Sequence, residues 1–348
     1  TQPNAMCMWQ YDTAGVTLWL DVRCGGMGVI LKNRRLAVCD VLFGEYRDMS
    51  AFDALKDYYK QLCDAPLTVD HKVYGTNNWY YAYGDTSHEE IIEDTRLLME
   101  ACGELENKPY IVLDDGWQKN RCDAPWDVLR EGKFTDMKAL AEEMKSMGAR
   151  SGLWIRPLSD QNFEVTDRDC DMRSACNPLY LDASHPETLK YVGNLINMIC
   201  DWGYTLIKHD FSTYDIVGFW GFQRDKEFAK DGWTFYNRNK TTAEVILDLY
   251  RVIREASKGR ALVLGCNVIG HLAAGLVHLN RTGDDTSGRE WERTRKYGVN
   301  ALAFRMLHHE NFFLADADCI GIMGQIDWKM NREWMTAVAY SGTPMFVS

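Results

Sequence analysis

Short apolar segments alternate with amphipathic helical patterns eight times between residues 72 and 348, and this alternation constrains the fold most strongly. Strands separated by helices form parallel sheets, because a helix must carry the chain back across the sheet. The eight segments lie at 73–83, 109–113, 151–156, 206–211, 261–266, 277–281, 312–316 and 343–347. Eight such units in about 275 residues match the count and length of a (β/α)8 barrel. We therefore predict an α/β chain with a (β/α)8 TIM barrel over residues 72–348.

Capping signals separate the helices from the strands that precede them. Thr241 and Glu244 match the S/T-x-x-E pattern, in which each side chain hydrogen-bonds the other residue's backbone N–H. Thr86 and Glu89 repeat the pattern, so helices are predicted to begin directly after Thr86 and Thr241. Further helices are predicted from spacing and stop signals at 136–147, 184–202, 290–301 and 331–340.

Residues 1–71 show a different pattern. The segments 16–22 and 28–31 are rich in β-branched residues and lie on either side of a Gly-Gly turn signal, so both are predicted as strands. We interpret residues 1–49 as the end of a β-domain. Positions 50–62 carry apolar residues on one helical face and are followed by Pro66, which predicts a linker helix within 50–71.

The two ends of the chain indicate that it belongs to a longer polypeptide. It begins Thr1-Gln2-Pro3-Asn4, with neither an initiator methionine nor a signal peptide, and it stops at the eighth strand. A barrel without a helix after that strand would expose apolar surface. We therefore expect the natural polypeptide to continue beyond Ser348. The compartment, whether periplasmic, secreted or cytoplasmic, is left open.

Charge and cysteine content argue against several classes of partner. The net charge of −11 disfavours a nucleic-acid backbone or an anionic membrane surface as the main partner. No run of about 18 apolar residues is present, so no spanning helix is predicted. The 11 cysteines include no CxxC pair, which argues against a zinc site or a regular disulfide framework. Oligomerisation is left open.

Polar residues collect at the carboxyl ends of the predicted strands, which form the active-site face of such barrels. After the fourth strand, Lys208 and Asp210 alternate with His209 and therefore share one face. A carboxylate beside an ammonium stays ionised, as a nucleophile requires, but the same pair is also typical of a plain salt bridge. The other strand ends contribute Asp114, Asp115, Trp154, Arg156, Cys266, Asn267, Arg281, Asp284, Asp285, Asp316 and Asp318.

A metal site is one interpretation of these carboxylates. Barrel metallohydrolases usually use histidine clusters, and the sequence His308-His309-Glu310 lies before the seventh strand, where a polar turn is expected. A magnesium ion held by the aspartates would be repelled by Lys208 and Arg281 in the same mouth. No metal is therefore predicted.

Glycoside cleavage is the other interpretation, and it requires two carboxylates on opposite sides of the anomeric carbon. Asp210 is the natural nucleophile, and either Asp284 or Asp285 can supply the acid. If the chain stays extended after the sixth strand, Arg281 and Asp285 share a face and Asp284 turns away. This favours Asp285, although a turn at Gly283 would undo the argument.

Seven motifs, in order and at strand ends, resemble the α-galactosidases of glycoside hydrolase family 36 and their relatives in family 27. The motifs are Asn78-Trp79-Tyr80, Leu113-Asp114-Asp115-Gly116-Trp117-Gln118, Gly152-Leu153-Trp154, Lys208-His209-Asp210-Phe211, Leu264-Gly265-Cys266, Arg281-Thr282-Gly283-Asp284-Asp285-Thr286 and Asp316-Ala317-Asp318. The resemblance covers most of 73–348. It implies that residues 1–49 are the remnant of an N-terminal β-sandwich, and that the last barrel helix and a C-terminal β-domain are absent from this chain.

The resemblance also implies roles for individual residues. Asp210 would be the nucleophile and Asp285 the acid/base of a reaction that retains the anomeric configuration. Asp114 and Asp115 would hold the axial O4 and the O6 of galactose. The other residues expected at the sugar subsite are Trp79, Trp154, Lys208, Cys266 and Arg281.

Two residues depart from the family pattern. Arg156 occupies a position that is usually small, and His209 one that is usually apolar or Tyr. The Arg156 guanidinium would contact an acidic or otherwise unusual substituent of the substrate, or would form a salt bridge with a neighbouring Asp. It is kept as a candidate substrate-binding residue. The aromatic-rich excursion at 212–239 is a second candidate specificity element, because long barrel loops are usually functional.

These observations predict a retaining, exo-acting α-galactosidase that removes terminal α-galactosyl residues from oligo- or polysaccharides without a cofactor. Two alternatives use the same site: an α-N-acetylgalactosaminidase, and a transglycosylase of the raffinose- or stachyose-synthase kind. A non-catalytic carbohydrate-binding barrel is a further alternative, which the presence of both Asp210 and Asp285 disfavours. In each case the predicted partner is a carbohydrate.

Overall fold

The computed structural model describes residues 2–160, 172–220 and 229–348. The strands in these ranges are β1 (Met6–Asp12), β2 (Gly15–Asp21), β3 (Tyr74–Asn77), β4 (Tyr110–Leu113), β5 (Arg150–Ile155), β6 (Leu206–His209), β7 (Leu262–Gly265), β8 (Leu279–Arg281), β9 (Leu314–Asp316), β10 (Cys319–Ile320) and β11 (Met345–Val347). The α-helices are α1 (Ala51–Lys60), α2 (Trp79–Ala82), α3 (His88–Cys102), α4 (Met137–Ser146), α5 (Pro186–Asp201), α6 (Ser212–Val217), α7 (Thr242–Ser257), α8 (Gly270–Ala273), α9 (Trp291–Thr294), α10 (Ala301–Arg305) and α11 (Trp328–Ser341). A π-helix, Arg295–Asn300, joins α9 to α10.

Nine of these strands form one parallel sheet that closes into a barrel. Their order in the sheet is β10-β11-β3-β4-β5-β6-β7-β8-β9. The two strands at the ends of this order, β9 and β10, are consecutive halves of one segment, separated only by Ala317 and Asp318. The sheet therefore returns to its starting point as eight parallel segments, which confirms the predicted (β/α)8 barrel.

Amphipathic helices cover the outside of the barrel. In α7 the buried residues include Val245, Leu249 and Ile253, which recur every four residues on one helical face. The capping box predicted at its start is confirmed. The Thr241 hydroxyl accepts the Glu244 N–H at 3.1 Å, and the Glu244 carboxylate accepts the Thr241 N–H at 2.8 Å. In the described part of the chain, no helix has the length and apolar character needed to cross a bilayer.

The N-terminal segment lies on the surface of the barrel. Strands β1 and β2 pair as an antiparallel hairpin, which confirms the strand predicted over 16–22. Large apolar side chains on this hairpin, such as Trp9 and Tyr11, are exposed, and α1 buries none of its residues. The division into 1–49 and 50–71 stays a prediction.

The strand predicted over 28–31 is wrong. No strand forms there, because the Ile30 N–H donates to the Arg238 carbonyl oxygen at 2.8 Å. The segment therefore follows the side of the barrel and does not pair with a strand of its own.

Two predicted boundaries near the first barrel strand are corrected. The strand predicted over 73–83 ends at Asn77, because the chain turns into α2 directly afterwards. The helix predicted to begin after Thr86 is capped by Ser87 instead, whose hydroxyl accepts the Glu90 N–H at 3.3 Å.

Candidate active site

The carboxyl ends of the parallel strands meet at one end of the barrel and form a polar mouth. Just inside it lies a cavity of about 10 Å³, too small for a ligand but lined by residues from most of the strands. Its lining residues are Asn77, Val112, Lys208, Leu264, Arg281, Asp316, Asp318, Cys319 and Phe346. Charged groups here are thus held by protein groups on all sides.

Lys208 pairs with Asp114 across the mouth. Its ammonium nitrogen lies 2.6 Å from Asp114 Oδ2, which also accepts the Asn77 side-chain amide at 2.7 Å. Burial opposes the charge on Lys208, but the surrounding groups, with Asp114 the strongest of them, together raise the lysine pKa well above its ordinary value. The pairing of Lys208 with Asp210 expected from strand alternation is not formed. Strand β6 ends at His209, so alternation no longer governs the next residue.

Asp210 is held by three donors that carry no charge. The Phe211 N–H donates to Oδ1 at 2.7 Å, and the Asn267 side-chain amide donates to the same oxygen. The Trp154 indole N–H donates to Oδ2 at 3.2 Å. Asp210 is therefore oriented on both oxygens by neutral donors, without an ion pair to any described residue.

Backbone strain at two strand ends aims these donors. Phe211, with φ of 61°, and Asn267, with φ of 54°, both adopt the left-handed conformation. Asparagine tolerates this region, but for a bulky residue such as phenylalanine it costs about 1–3 kcal/mol. The surrounding packing maintains the strain, and the Phe211 N–H points at Asp210 as a result.

Asp285 lies beside Arg281, with Oδ1 2.7 Å from Nη2. Its side chain is 47% exposed within the mouth, whereas the guanidinium is buried. Burial raises the pKa of Asp285, Arg281 opposes the shift, and the charges of Asp318 and Asp210 reinforce it. Asp284 instead faces Arg293 at 3.5 Å. Of the two acids left open by the sequence, Asp285 is thus the one that contacts the buried guanidinium of Arg281 in the mouth.

Asp115 is occupied by its own loop. Its Oδ1 accepts the Gln118 side-chain amide at 3.0 Å and the Cys122 N–H at 2.6 Å. Its Oδ2 accepts the Cys122 thiol at 2.9 Å, and Arg121 lies 3.7 Å away. Burial and then the Asp115 charge raise the pKa of the thiol, which keeps it protonated as a donor. The expected contact of Asp115 with a sugar hydroxyl would share Oδ2 with the Cys122 thiol, since a carboxylate oxygen accepts more than one hydrogen bond.

Arg156 forms a buried ion pair. Its Nη2 lies 2.7 Å from Asp215 Oδ1, and its Nε donates to both Asp215 oxygens. The guanidinium stacks 4.2 Å from the Phe211 ring and 4.8 Å from the Tyr180 ring. Of the two roles that the sequence left open for Arg156, this geometry provides the salt bridge, and the arginine supports Phe211 behind Asp210.

The remaining expected subsite residues differ in their exposure. Cys266 is buried, with its sulfur 3.8 Å from Arg281 Nη1. Trp79 is half-buried and packs edge-on to Tyr83 at 5.5 Å between ring centroids. Cys266 therefore borders the buried guanidinium, and Trp79 lies at the start of α2, directly after β3.

Among its described residues, the aromatic excursion places the Trp220 ring next to the site. Trp220 lies 5.3 Å from Phe211 between ring centroids. Trp233 and Phe235 pack against each other at 4.9 Å, and Phe235 is buried in the core. Phe222 lies outside the described residues.

The sequence pattern predicts no specific role for Asn267, Asp318 and Cys122, which the structure places in the site. It identifies Asn267 and Asp318 only as polar residues at strand ends, and it does not identify Cys122. The signal for Asn267 and Asp318 was their position directly after a strand. Cys122 had no such signal, because its loop is irregular.

Comparison with known proteins places this site in a known context. No family model matches the chain. The α-galactosidase AgaA of Geobacillus stearothermophilus, a family 36 enzyme, is 26% identical over 195 residues, which cover 51% of this chain and 25% of AgaA. The chain thus matches about a quarter of the length of that curated relative.

Solved structures share the barrel. TtGalA, an α-galactosidase from Thermus thermophilus in complex with stachyose, superposes with a TM-score of 0.63 and 18% identity, over 85% of this chain and 65% of TtGalA. A family 27 β-L-arabinopyranosidase from Geobacillus stearothermophilus, in complex with arabinose, gives 0.57 and 16%, over 84% and 73%. These neighbours establish the fold. They support the resemblance to families 27 and 36 together and do not choose between the two.

Proposed function

We propose that the chain carries the catalytic barrel of a retaining, exo-acting α-galactosidase, which removes terminal α-galactosyl residues by double displacement. The observation that carries the proposal is the presence of two carboxylates with different surroundings in one mouth. Asp210 accepts three hydrogen bonds from neutral donors, whereas Asp285 lies half-exposed beside a guanidinium. Two carboxylates with different environments are how one site holds a nucleophile and an acid.

In the first step Asp210 attacks the anomeric carbon while Asp285 protonates the departing glycosidic oxygen. The hydrogen bonds from Trp154, Phe211 and Asn267 orient the attacking carboxylate. Burial and the charge of Asp210 favour the protonated form of Asp285 before the reaction.

In the second step water attacks the anomeric carbon of the glycosyl-enzyme, and Asp285, now ionised, removes a proton from that water. The bond to Asp210 breaks, the carboxylate is regenerated, and Asp285 is again protonated. Two inversions at the anomeric carbon leave the configuration retained.

The Asp114–Lys208 pair supplies the sugar subsite with both an acceptor and a donor. Asp114 Oδ2 is engaged by Lys208 and Asn77, and its Oδ1 accepts the Asp115 N–H at 3.0 Å. A carboxylate oxygen accepts more than one hydrogen bond, so Oδ1 keeps a free acceptor position for a hydroxyl. The galactosidase names of AgaA and TtGalA support galactose as the sugar.

A second candidate, a β-L-arabinopyranosidase, is favoured by the occupied Asp115 carboxylate. The sugar β-L-arabinopyranose shares the ring arrangement of α-galactose but lacks the C6 group. It would bind without a contact to Asp115, whereas a galactoside whose O6 bonds Asp115 would have to share that carboxylate with the Cys122 thiol. One structural neighbour is itself a β-L-arabinopyranosidase.

Hydrolysis of nitrophenyl glycosides tests both candidates. The panel is the α-galactoside, the α-N-acetylgalactosaminide, the α-glucoside and the β-L-arabinopyranoside. Release from the galactoside supports the first candidate, and release from the arabinopyranoside alone supports the second. Failure of a folded, full-length protein to hydrolyse any of the four glycosides contradicts both candidates. NMR of the first-formed sugar anomer tests retention, and products formed with excess acceptor sugar would reveal a transglycosylase.

A further inference from the structure

Arg281 is shared between two carboxylates. Its Nη2 lies 2.7 Å from Oδ1 of Asp285 and 2.8 Å from Oδ2 of Asp318. Its Nη1 contacts only the thiol of Cys266 among the described residues, at 3.8 Å. The guanidinium is buried, so water contributes little to balancing its charge. The extent to which Arg281 stabilises the ionised form of Asp285 therefore depends on Asp318.

Asp318 is held in place independently of Asp285. Its Oδ2 accepts the Thr286 N–H at 2.8 Å, the Thr286 hydroxyl at 3.0 Å and the Tyr80 hydroxyl. Its backbone, with φ of 69°, adopts the left-handed conformation that Asp and Asn tolerate. Burial opposes its charge, but Arg281 and Lys208 outweigh it and lower the pKa of Asp318. Asp318 is thus a fixed negative charge.

We propose that Asp318 is a positioning residue for the reaction: by sharing Arg281, it prevents an exclusive Arg281–Asp285 ion pair and leaves the Asp285 carboxyl able to carry the proton. An unshared guanidinium at 2.7 Å would hold Asp285 ionised, because an opposite charge favours the charged form. This inference rests on the proposed function, since it requires Asp285 to be the acid.

The groups around Asp285 divide into those that oppose its proton and those that favour it. Arg281 and Lys208 oppose the proton, and Asp318 and Asp210 favour it. The charge of Asp210 disappears when it forms the covalent bond, so its contribution ends as Asp285 must become a base. Asp318 keeps its charge throughout. The other titratable groups nearby are the Tyr80 hydroxyl, the Cys266 and Cys319 thiols, the Asp316 carboxyl and the Asp284–Arg293 pair.

The substitution Asp318→Asn tests the proposal. Asparagine keeps the shape of the side chain and tolerates the left-handed backbone, but it removes the charge. The alkaline limb of the pH profile of kcat/KM, which reports the acid of the free enzyme, should move about one to two units lower. At pH 7 the rate on a disaccharide with a poor leaving group should fall about tenfold or more. The nitrophenyl glycoside should lose less, since it needs little protonation.

Two matched variants separate charge from structure. Asp201→Asn makes the same charge change at an exposed ion pair with Arg260, outside the mouth, and its alkaline limb should stay in place. Tyr80→Phe removes a hydrogen bond from Asp318 but keeps the charge, so its limb should not move lower. An unmoved limb in Asp318→Asn, or equal shifts in all three variants, would overturn the proposal.

Measurements on Asp285→Ala in the same assay show which statement fails. Equal losses on good and poor leaving groups would contradict the proposed function itself. If Asp285 behaves as the acid and Asp318→Asn leaves the alkaline limb in place, only the role of Asp318 is wrong. Folding is checked by circular dichroism, and Asp318→Ser replaces the Asn variant if that variant does not fold. If neither folds, the role of Asp318 is structural and the proposal is rejected.

Discussion

Asp210 and Asp285 lie in the same mouth but are held by different kinds of neighbour. Asp210 is oriented by uncharged donors from three places in the chain, namely Trp154, Phe211 and Asn267. Asp285 contacts a buried cation that Asp318 shares. The state of Asp210 therefore depends on the geometry of its hydrogen bonds, whereas that of Asp285 depends on the balance of nearby charges. In the proposed mechanism the nucleophile needs a fixed orientation, which hydrogen bonds supply. The acid must exchange a proton, which requires opposing charges that nearly balance.

The largest effect is expected when the Asp210 carboxylate is removed. Asp210→Asn keeps the shape and leaves a poor nucleophile, so turnover should fall about a thousandfold or more because no glycosyl-enzyme can form. Steady-state hydrolysis and the thermal melting curve measure activity and folding separately. Asp201→Asn, at an exposed ion pair with Arg260, is the control for loss of one acidic charge. Activity within tenfold of wild type would show that Asp210 is not the nucleophile.

A smaller effect on turnover, which depends on the substrate, is expected when the Asp285 carboxyl is removed. Asp285→Ala should slow a poor leaving group by about a hundredfold or more, because general acid catalysis contributes on that scale. It should slow the first step with an activated nitrophenyl leaving group much less. Pre-steady-state release of nitrophenol compared with disaccharide hydrolysis measures the difference. Asp284→Ala, the adjacent acid that faces Arg293, is the matched control. A similar pattern in Asp284→Ala would reverse the assignment.

A loss of about tenfold in kcat/KM is expected for Trp154→Phe. The change removes one N–H donor from Asp210, and a hydrogen bond to a charged group contributes about 1.5 kcal/mol. Trp126→Phe makes the same truncation in the indole that packs against Trp154 but does not touch Asp210. The comparison of the two variants sharpens the geometric interpretation. Equal losses would show that the effect comes from packing.

The smallest effect on turnover concerns the residue between Lys208 and Asp210. His209 is fully buried next to Tyr250, its ring nitrogens have no hydrogen-bond partner in the described structure, and burial lowers its pKa to about 4. Protonation of His209 thus favours the unfolded chain. The free energy of unfolding should fall as pH drops from about 6.5 to about 4, by roughly 1.4 kcal/mol per unit, and then level off for this group.

The variant His209→Leu isolates that contribution. Its unfolding free energy relative to wild type should rise by about 3 kcal/mol between pH 7 and pH 4, as measured by urea unfolding. Other buried histidines contribute equally to both proteins and cancel. His88→Leu, at a surface contact with Glu143, should show no such gain. A pH-independent difference for His209→Leu would mean that the ring is hydrated or already paired.

Most of the barrel could be predicted from the sequence, because each strand and helix has its own periodic pattern. The capping box at Thr241 needed only four consecutive residues. The segment at 28–31 could not be assigned in this way. A strand needs a partner, and the Ile30 N–H bonds to the Arg238 carbonyl, which lies far away in the chain.

The members of the site could also be predicted, but not the pairs they form. Lys208 stands two residues from Asp210, yet it bonds to Asp114, 94 positions away. The alternation of a strand predicts direction only while the strand continues, and β6 stops before Asp210. Likewise the sequence left two roles open for Arg156, and the buried Asp215 in α6 provides one of them.

The sequence by itself determined the repeated strand–helix pattern and therefore the barrel, and it determined which residue types reach the mouth. Both follow from local spacing along the chain. The tertiary structure alone decided that Asp210 meets neutral donors and that Arg281 divides its charge between Asp285 and Asp318. These contacts join residues from different strands, and their strength depends on distances and burial that exist only once the barrel has closed.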